Sequence, residues 1–197
     1  MTITADQVRQ LREMTGAGMM ECKKALSETG GDLNKAIDAL RKAGIAKAEK
    51  RADRAASQGR IESYVHDSRI GVLVEVNCET DFVARTDDFK TLCKDLAMQV
   101  AGAGADYVRR EEVPAERIAR ERAIYVEQVK NEGKPAAIAD KIVDGKLNKF
   151  YSEVCLLEQP FIKDDKRTIQ DLVRDASSKT GENVVVRRFA RFRLGAE

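Results

Sequence analysis

Residues 61–78 read IESYVHDSRIGVLVEVNC. Ile61, Ser63 and Val65 alternate with Glu62, Tyr64 and His66, and after the polar HDSR the residues Val72, Val74, Val76 and Cys78 take the opposite parity to Leu73 and Glu75. Successive residues of a strand face opposite ways, so a period of two on both sides of a polar turn predicts a β-hairpin. The stretch decides the fold because most of what surrounds it carries the helical period instead.

Upstream, the first forty-odd residues predict three short helices. Thr4 and Gln7 have capping-box spacing, Ile3 and Val8 occupy the staple positions, and Leu11 continues the apolar face to a stop at Gly16. A second helix runs from about Gly18 to Thr29 with Met19, Cys22 and Leu26 on one face. A third starts at an Asp32 cap and carries Leu33, Ala36, Ile37 and Leu40 before Gly44. Residues 1–44 are therefore expected to form a three-helix domain. Residues 45–58, IAKAEKRADRAASQ, are rich in alanine and charge with little apolar face and read as a partly helical linker.

Downstream of the hairpin, Thr86 can cap a helix with an inward stripe of Phe89, Leu92, Cys93, Leu96, Ala97 and Val100, ended by Gly102 and Gly104. Pro114 opens a helix carrying Ile118, Tyr125, Val126 and Val129, which Gly133 ends, and Pro135 opens another. Thr168 to Lys179 is a short helix with Ile169, Leu172, Val173 and Ala176 inward, and NVVVRRFARFRL closes the chain as a strand. Strands before and after a helical middle, without regular alternation, indicate an α+β core of antiparallel strands packed with helices over residues 59–197.

Composition narrows the function. Thirty-five Lys and Arg against 33 Asp and Glu leave a net charge of +2, so bulk charge points to no class of partner. No apolar run approaches the roughly 20 residues of a membrane span, and MTITADQVRQ lacks the apolar core of a signal peptide, so a cytoplasmic location is expected. Cys22, Cys78, Cys93 and Cys155 are scattered at apolar positions, the pattern of buried reduced thiols. With His66 the single histidine, beside a turn, neither a zinc site nor a triad hydrolase has its residues, and no cofactor is expected.

Three stretches invite a chemical reading. TGAGMMECKK puts glycines and Lys23–Lys24 near a helix start, but it lacks a GxxxxGK[ST] pattern and a preceding strand, so a helix–helix turn is the better account. Only one of the adjacent Met19 and Met20 can face fully inward, which leaves the other for an adaptable protein contact. In the last strand Arg187, Arg188, Arg191 and Arg193 interleave with Phe189 and Phe192, the composition of an RNA-binding surface. Alternation nevertheless puts the two rings on opposite faces, which favours an edge strand with a basic solvent side. Finally, NCETDFVAR, residues 77–85, carries Phe82 where a turn residue would be ordinary; the pattern alone leaves open whether the ring packs under the hairpin or is presented outward.

LREMTGAGMMECKKAL, EVNCETDFVAR, KIVDGKLNKFYSEVCLLEQPFIKD and the terminal VVRRFARFRLG together resemble, in order and spacing over nearly the whole chain, the bacterial elongation factor Ts family. The resemblance implies a guanine-nucleotide exchange factor of elongation factor Tu, acting without covalent chemistry, with a ubiquitin-associated-like N-terminal domain. It also implies that Thr80, Asp81, Phe82 and Val83 disturb the partner's Mg²⁺, and that Arg12, Met19 and Met20 contact the partner's G domain. GDP-bound and nucleotide-free elongation factor Tu are the implied partners. Longer members carry a second core subdomain and a coiled-coil insertion for which this chain leaves little room, so a homodimer is expected to complete the binding surface. No membrane and no direct nucleic-acid contact are expected. The rival readings are an RNA-binding translation accessory protein using the arginine strand and, more distantly, a small enzyme, for which no nucleophile–base pair is present.

Overall fold

The computed structural model describes residues 3–133 and 135–196, with the side chains of 45, 47–49, 136 and 137 left aside. Helix α1 (Ala5–Thr15) begins with the expected capping box, Thr4 accepting from the Gln7 backbone while Gln7 reaches back, and ends at a left-handed Gly16. α2 (Met19–Glu28) and α3 (Leu33–Glu49) follow, α3 capped by Asp32, whose carboxylate accepts from the Lys35 N–H at 3.0 Å. Val8, Leu11, Cys22, Ala25, Leu26 and Ala36 form their common core. This is a three-helix domain of the ubiquitin-associated kind.

α3 runs past Gly44 to Glu49, whereas the sequence places its end at the glycine. Gly44 stands within the helix because a Cβ there would lie 2.8 Å from the Ser178 hydroxyl, so the glycine serves close packing and not a stop.

β1 (Gln58–His66) and β2 (Ile70–Cys78) form the predicted hairpin. Asp67 and Ser68 both have positive φ, 46° and 55°, which gives the turn the twist that matches paired strands. At the open end of the hairpin Gly59 has φ 147°, and a Cβ on it would lie 2.2 Å from the Val76 carbonyl oxygen, so no side chain fits. β5 (Val185–Arg193) completes a three-stranded sheet in the order β1-β2-β5, with the Leu194 N–H donating to the Arg69 carbonyl at 2.8 Å. Val72, Val74, Val76 and Cys78 are buried, as alternation requires. Ile61 and Val65 of β1 are exposed, however, as are Leu73, Phe192 and Leu194.

The one-turn helix α4 (Asp81–Ala84) leads into α5 (Asp87–Ala103), whose stripe from Phe89 to Val100 is buried and whose Phe89 N–H is capped by Thr86. α6 (Ala115–Asn131) and α7 (Ala136–Val154) open after Pro114 and Pro135 and pack along Val129, Val143 and Leu147. These are the helices that the sequence places after Pro114 and Pro135, 17 and 19 residues long. β3 (Pro160–Phe161) and β4 (Asp164–Thr168) form a small hairpin that the sequence does not announce. The buried Gln99 holds it, accepting from the Ile162 N–H at 2.9 Å and donating to the Pro160 carbonyl at 3.1 Å. α8 (Ile169–Thr180) then leads to β5.

The chain divides into two compact units. One comprises Met1–Arg60, Val76–Leu92 and Leu172–Val185; the other Ile61–Glu75, Cys93–Asp171 and Val186–Glu197. Among the described residues no helix is long and apolar enough to cross a membrane.

Candidate functional site

β2 ends at the buried Cys78. Thr80 is extended (φ −126°, ψ 155°) and caps α4, its hydroxyl accepting from the Val83 N–H at 3.4 Å. Ala84 is the residue that α4 buries. Phe82, two residues earlier and so about 200° away around the helix, points the opposite way. Its ring is 80% exposed. Asp81, partly buried, pairs with Arg85 one turn on at 2.8 Å, and Val83 is partly buried. The segment 80–83 therefore sits past the open end of the hairpin, not at its turn.

An exposed phenylalanine makes few contacts that could hold it, so the segment is held through its backbone. Glu182, in the loop after α8, accepts from the Glu79 N–H at 3.0 Å, the Thr80 N–H at 3.1 Å and the Thr80 hydroxyl at 2.6 Å. Glu79 in turn accepts from the Asn183 N–H at 2.7 Å and faces Arg54 at 3.5 Å. The buried Asn183 amide donates to the Ala52 and Arg54 carbonyls at 3.2 and 2.9 Å, and Arg51 donates to the Ser177 carbonyl at 3.1 Å. The stretch after α3, read from sequence as a linker, is thus fastened to the same loop. The Cys78 thiol donates to the Thr80 carbonyl at 3.1 Å, and burial, then Glu182 and Asp81, push its pKa up.

On the three-helix domain, Arg12 is exposed near the end of α1, Met19 is 46% exposed and Met20 is 76% exposed. The sequence sets Met19 on the inner face of α2, but Cys22, Ala25 and Leu26 supply that face and Met19 stands on the first turn with much of its surface in solvent. Met14, which the sequence reading passes over, is exposed as well. Periodicity finds inward residues and says nothing about an apolar residue outside the pattern. Arg12, Met19 and Met20 lie on α1 and α2, apart in sequence from the Thr80–Val83 segment but in the same compact unit.

The remaining candidates carry less. Among the described residues no group of His, Cys, Asp and Glu could hold a metal ion, and the four cysteines are buried thiols outside any disulfide. His66 lies partly in solvent beside Tyr64 and Asp67. In β5, Phe189 is partly buried and Phe192 exposed, and Arg188 pairs with Glu75 at 2.7 Å, so the two rings form no common platform.

A three-helix module and an α+β core, each displaying exposed apolar side chains, fit the class of proteins that work through their surface on another macromolecule. The comparisons with known proteins give that class a family. The sequence model described as Elongation factor TS matches residues 8–196. The chain is 59% identical over 194 residues to elongation factor Ts of Heliobacterium modesticaldum, covering 98% of this chain and 90% of that one. It is 59% identical over 196 residues to elongation factor Ts of Coprothermobacter proteolyticus, covering 99% of this chain and all of the relative, and 57% identical to that of Geobacter sulfurreducens. The chain belongs to the elongation factor Ts family of translation elongation factors.

Proposed function

We propose that this protein promotes release of GDP from elongation factor Tu by inserting the Thr80–Val83 segment beside the partner's Mg²⁺ and phosphate site, so that GTP can rebind. The observation that carries the reading is Phe82, 80% exposed just past a stretch held by two backbone N–H groups and one hydroxyl donating to a single carboxylate. An exchange factor need only bind best to the conformation of a GTPase in which the metal and phosphate contacts are broken. The coupling is reciprocal: nucleotide and factor weaken each other's affinity by the same ratio, so incoming GTP expels the factor unchanged.

One phenylalanine is insufficient for that coupling. Fully burying its ring is worth about 1.5–3 kcal/mol, and the remainder must come from other contacts. Arg12, Met19 and Met20 are suited to supply them, since a long cation and flexible, exposed thioether side chains adapt to a partner surface. In this reading residues 1–44 dock, 45–58 connect, and 59–197 carry out the exchange. Stopped-flow release of a fluorescent GDP from elongation factor Tu, with the wild type and with Phe82→Ala, tests the assignment.

The factor acts as a non-covalent homodimer. The support is the set of exposed apolar residues Ile61, Val65, Leu73, Phe192 and Leu194, with a shallow groove of about 310 Å³ beside Val65 and Phe192. β5 holds no cysteine that could bridge two chains. Sedimentation at micromolar concentration is expected to give two chains, and Phe192→Glu one; a single-chain mass for the wild type with full exchange activity would remove this part. RNA binding at physiological salt is not expected, because the β5 rings differ in exposure and Arg188 is paired with Glu75.

A further inference from the structure

We propose that Glu182 is a positioning residue for exchange: its carboxylate fixes the direction in which α4 presents Phe82. The proposal rests on the function set out above and concerns how the same segment is held.

A helix of four residues does not hold itself. Nucleating a single helical turn is unfavourable, and the internal cap of α4, Thr80 hydroxyl to Val83 N–H, is long at 3.4 Å. Phe82 adds little, since most of its ring is in solvent. Orientation must come from outside the segment. Glu182 supplies it with both carboxylate oxygens, one accepting from two successive backbone N–H groups, Glu79 and Thr80, and the other from the Thr80 hydroxyl. Hydrogen bonds to a charged acceptor are the stronger kind, and three converging on one group leave the Thr80 backbone a single direction. Thr80 is the N-cap of α4, so its direction sets the direction of the turn that follows.

Glu182 is itself fixed. Its carbonyl accepts from the Ser177 hydroxyl at 2.6 Å, its N–H donates to the Thr180 hydroxyl at 3.3 Å, and it follows Gly181, whose φ of 75° makes the turn out of α8. Asn183, next in the chain, is buried and bonded to Glu79 and to the carbonyls of Ala52 and Arg54. A rigid loop about a hundred residues away in sequence thus acts on Phe82 through Thr80, without an interaction of Glu182 with Phe82 or with the partner being required.

The test measures release of a fluorescent GDP from elongation factor Tu over a range of factor concentrations, which separates the saturating rate from the half-saturating concentration. Glu182→Ala is expected to lower the saturating rate about tenfold while the half-saturating concentration stays within about twofold, because the docking surface on α1 and α2 is untouched. Glu182→Gln is expected to stay near wild type, its amide oxygen accepting from the two N–H groups and its NH₂ meeting the Thr80 hydroxyl. A general loss of folding would instead raise the half-saturating concentration, and that pattern overturns the proposal. Equal saturating rates for wild type and Glu182→Ala, with Phe82→Ala slow, also overturn it and leave the exchange function standing; if Phe82→Ala too is as fast as wild type, the functional reading itself falls. Should Glu182→Ala fail to fold, Glu182→Asp, one methylene shorter, draws the carboxylate back from all three donors: a severalfold slower saturating rate supports the proposal and an unchanged one overturns it.

Discussion

Replacing Phe82 by alanine separates a presented side chain from a structural one. The ring is 80% exposed in the free protein, so its removal should change stability by no more than about 0.5 kcal/mol, the usual range for surface substitutions. A core phenylalanine would cost about 3–5 kcal/mol. In complex, the same ring has nearly all its surface left to bury. Scaling the full burial value of about 1.5–3 kcal/mol by the exposed fraction gives about 1.2–2.4 kcal/mol of lost interaction, or a release rate about eightfold to sixtyfold slower if the contact is made only in the nucleotide-releasing state. Thermal melting of the free factor and stopped-flow release of a fluorescent GDP from elongation factor Tu read the two quantities separately. A melting temperature several degrees lower, with activity lost in proportion to unfolding, would refute the reasoning, and so would an unchanged release rate.

Removing Mg²⁺ with EDTA should shrink the deficits of both Phe82→Ala and Asp81→Ala in the same assay, and deficits as large without metal as with it would show that the metal environment is not what these residues disturb. Gly59→Ala should cost about 3 kcal/mol or more, a fall of about 6–12 °C in Tm, because its φ is 147° and a Cβ would meet the Val76 carbonyl at 2.2 Å; an unchanged melting temperature would contradict that geometry. The Cys155 thiol, fully buried, is pushed up to about 11 from its usual 9.0. A raised pKa means stability is intact below the unfolded value and is lost as pH climbs through the folded one, so Tm should hold to about pH 9 and fall between there and about 11, less steeply in Cys155→Ala.

What was legible in the sequence was mainly local. The Thr4–Gln7 capping box, the Gly16 stop, the Asp32 and Thr86 caps and the alternation of Val72 to Cys78 each involve residues within a few positions of one another, and each is in place. The differences have specific causes. Gly44 looked like a helix end because its reason for being glycine, the nearby Ser178 hydroxyl, lies 134 residues away. β3–β4 went unseen because a two-residue strand and a charged DDKRT carry no apolar alternation; the side chain that holds the hairpin, Gln99, comes from α5. Ile61 and Val65 alternate as a buried face would, yet they face solvent, since alternation fixes which residues share a side and not how far the cover on that side reaches toward the edge strand β1. The 80–83 segment was found through its likeness to a family, whereas Glu182 and Asn183, which hold it, bond across separations of 102 to 104 residues that periodicity cannot register.

The central claim is turnover: a factor that lowers the nucleotide affinity of its partner and is expelled by the next nucleotide. Elongation factor Tu loaded with a fluorescent GDP and given excess unlabelled GTP should lose the whole labelled pool, within minutes and at a rate proportional to factor concentration, when this protein is added at about one part in a hundred. Release that stops at one label per factor molecule, or that never exceeds the spontaneous rate, would contradict the account.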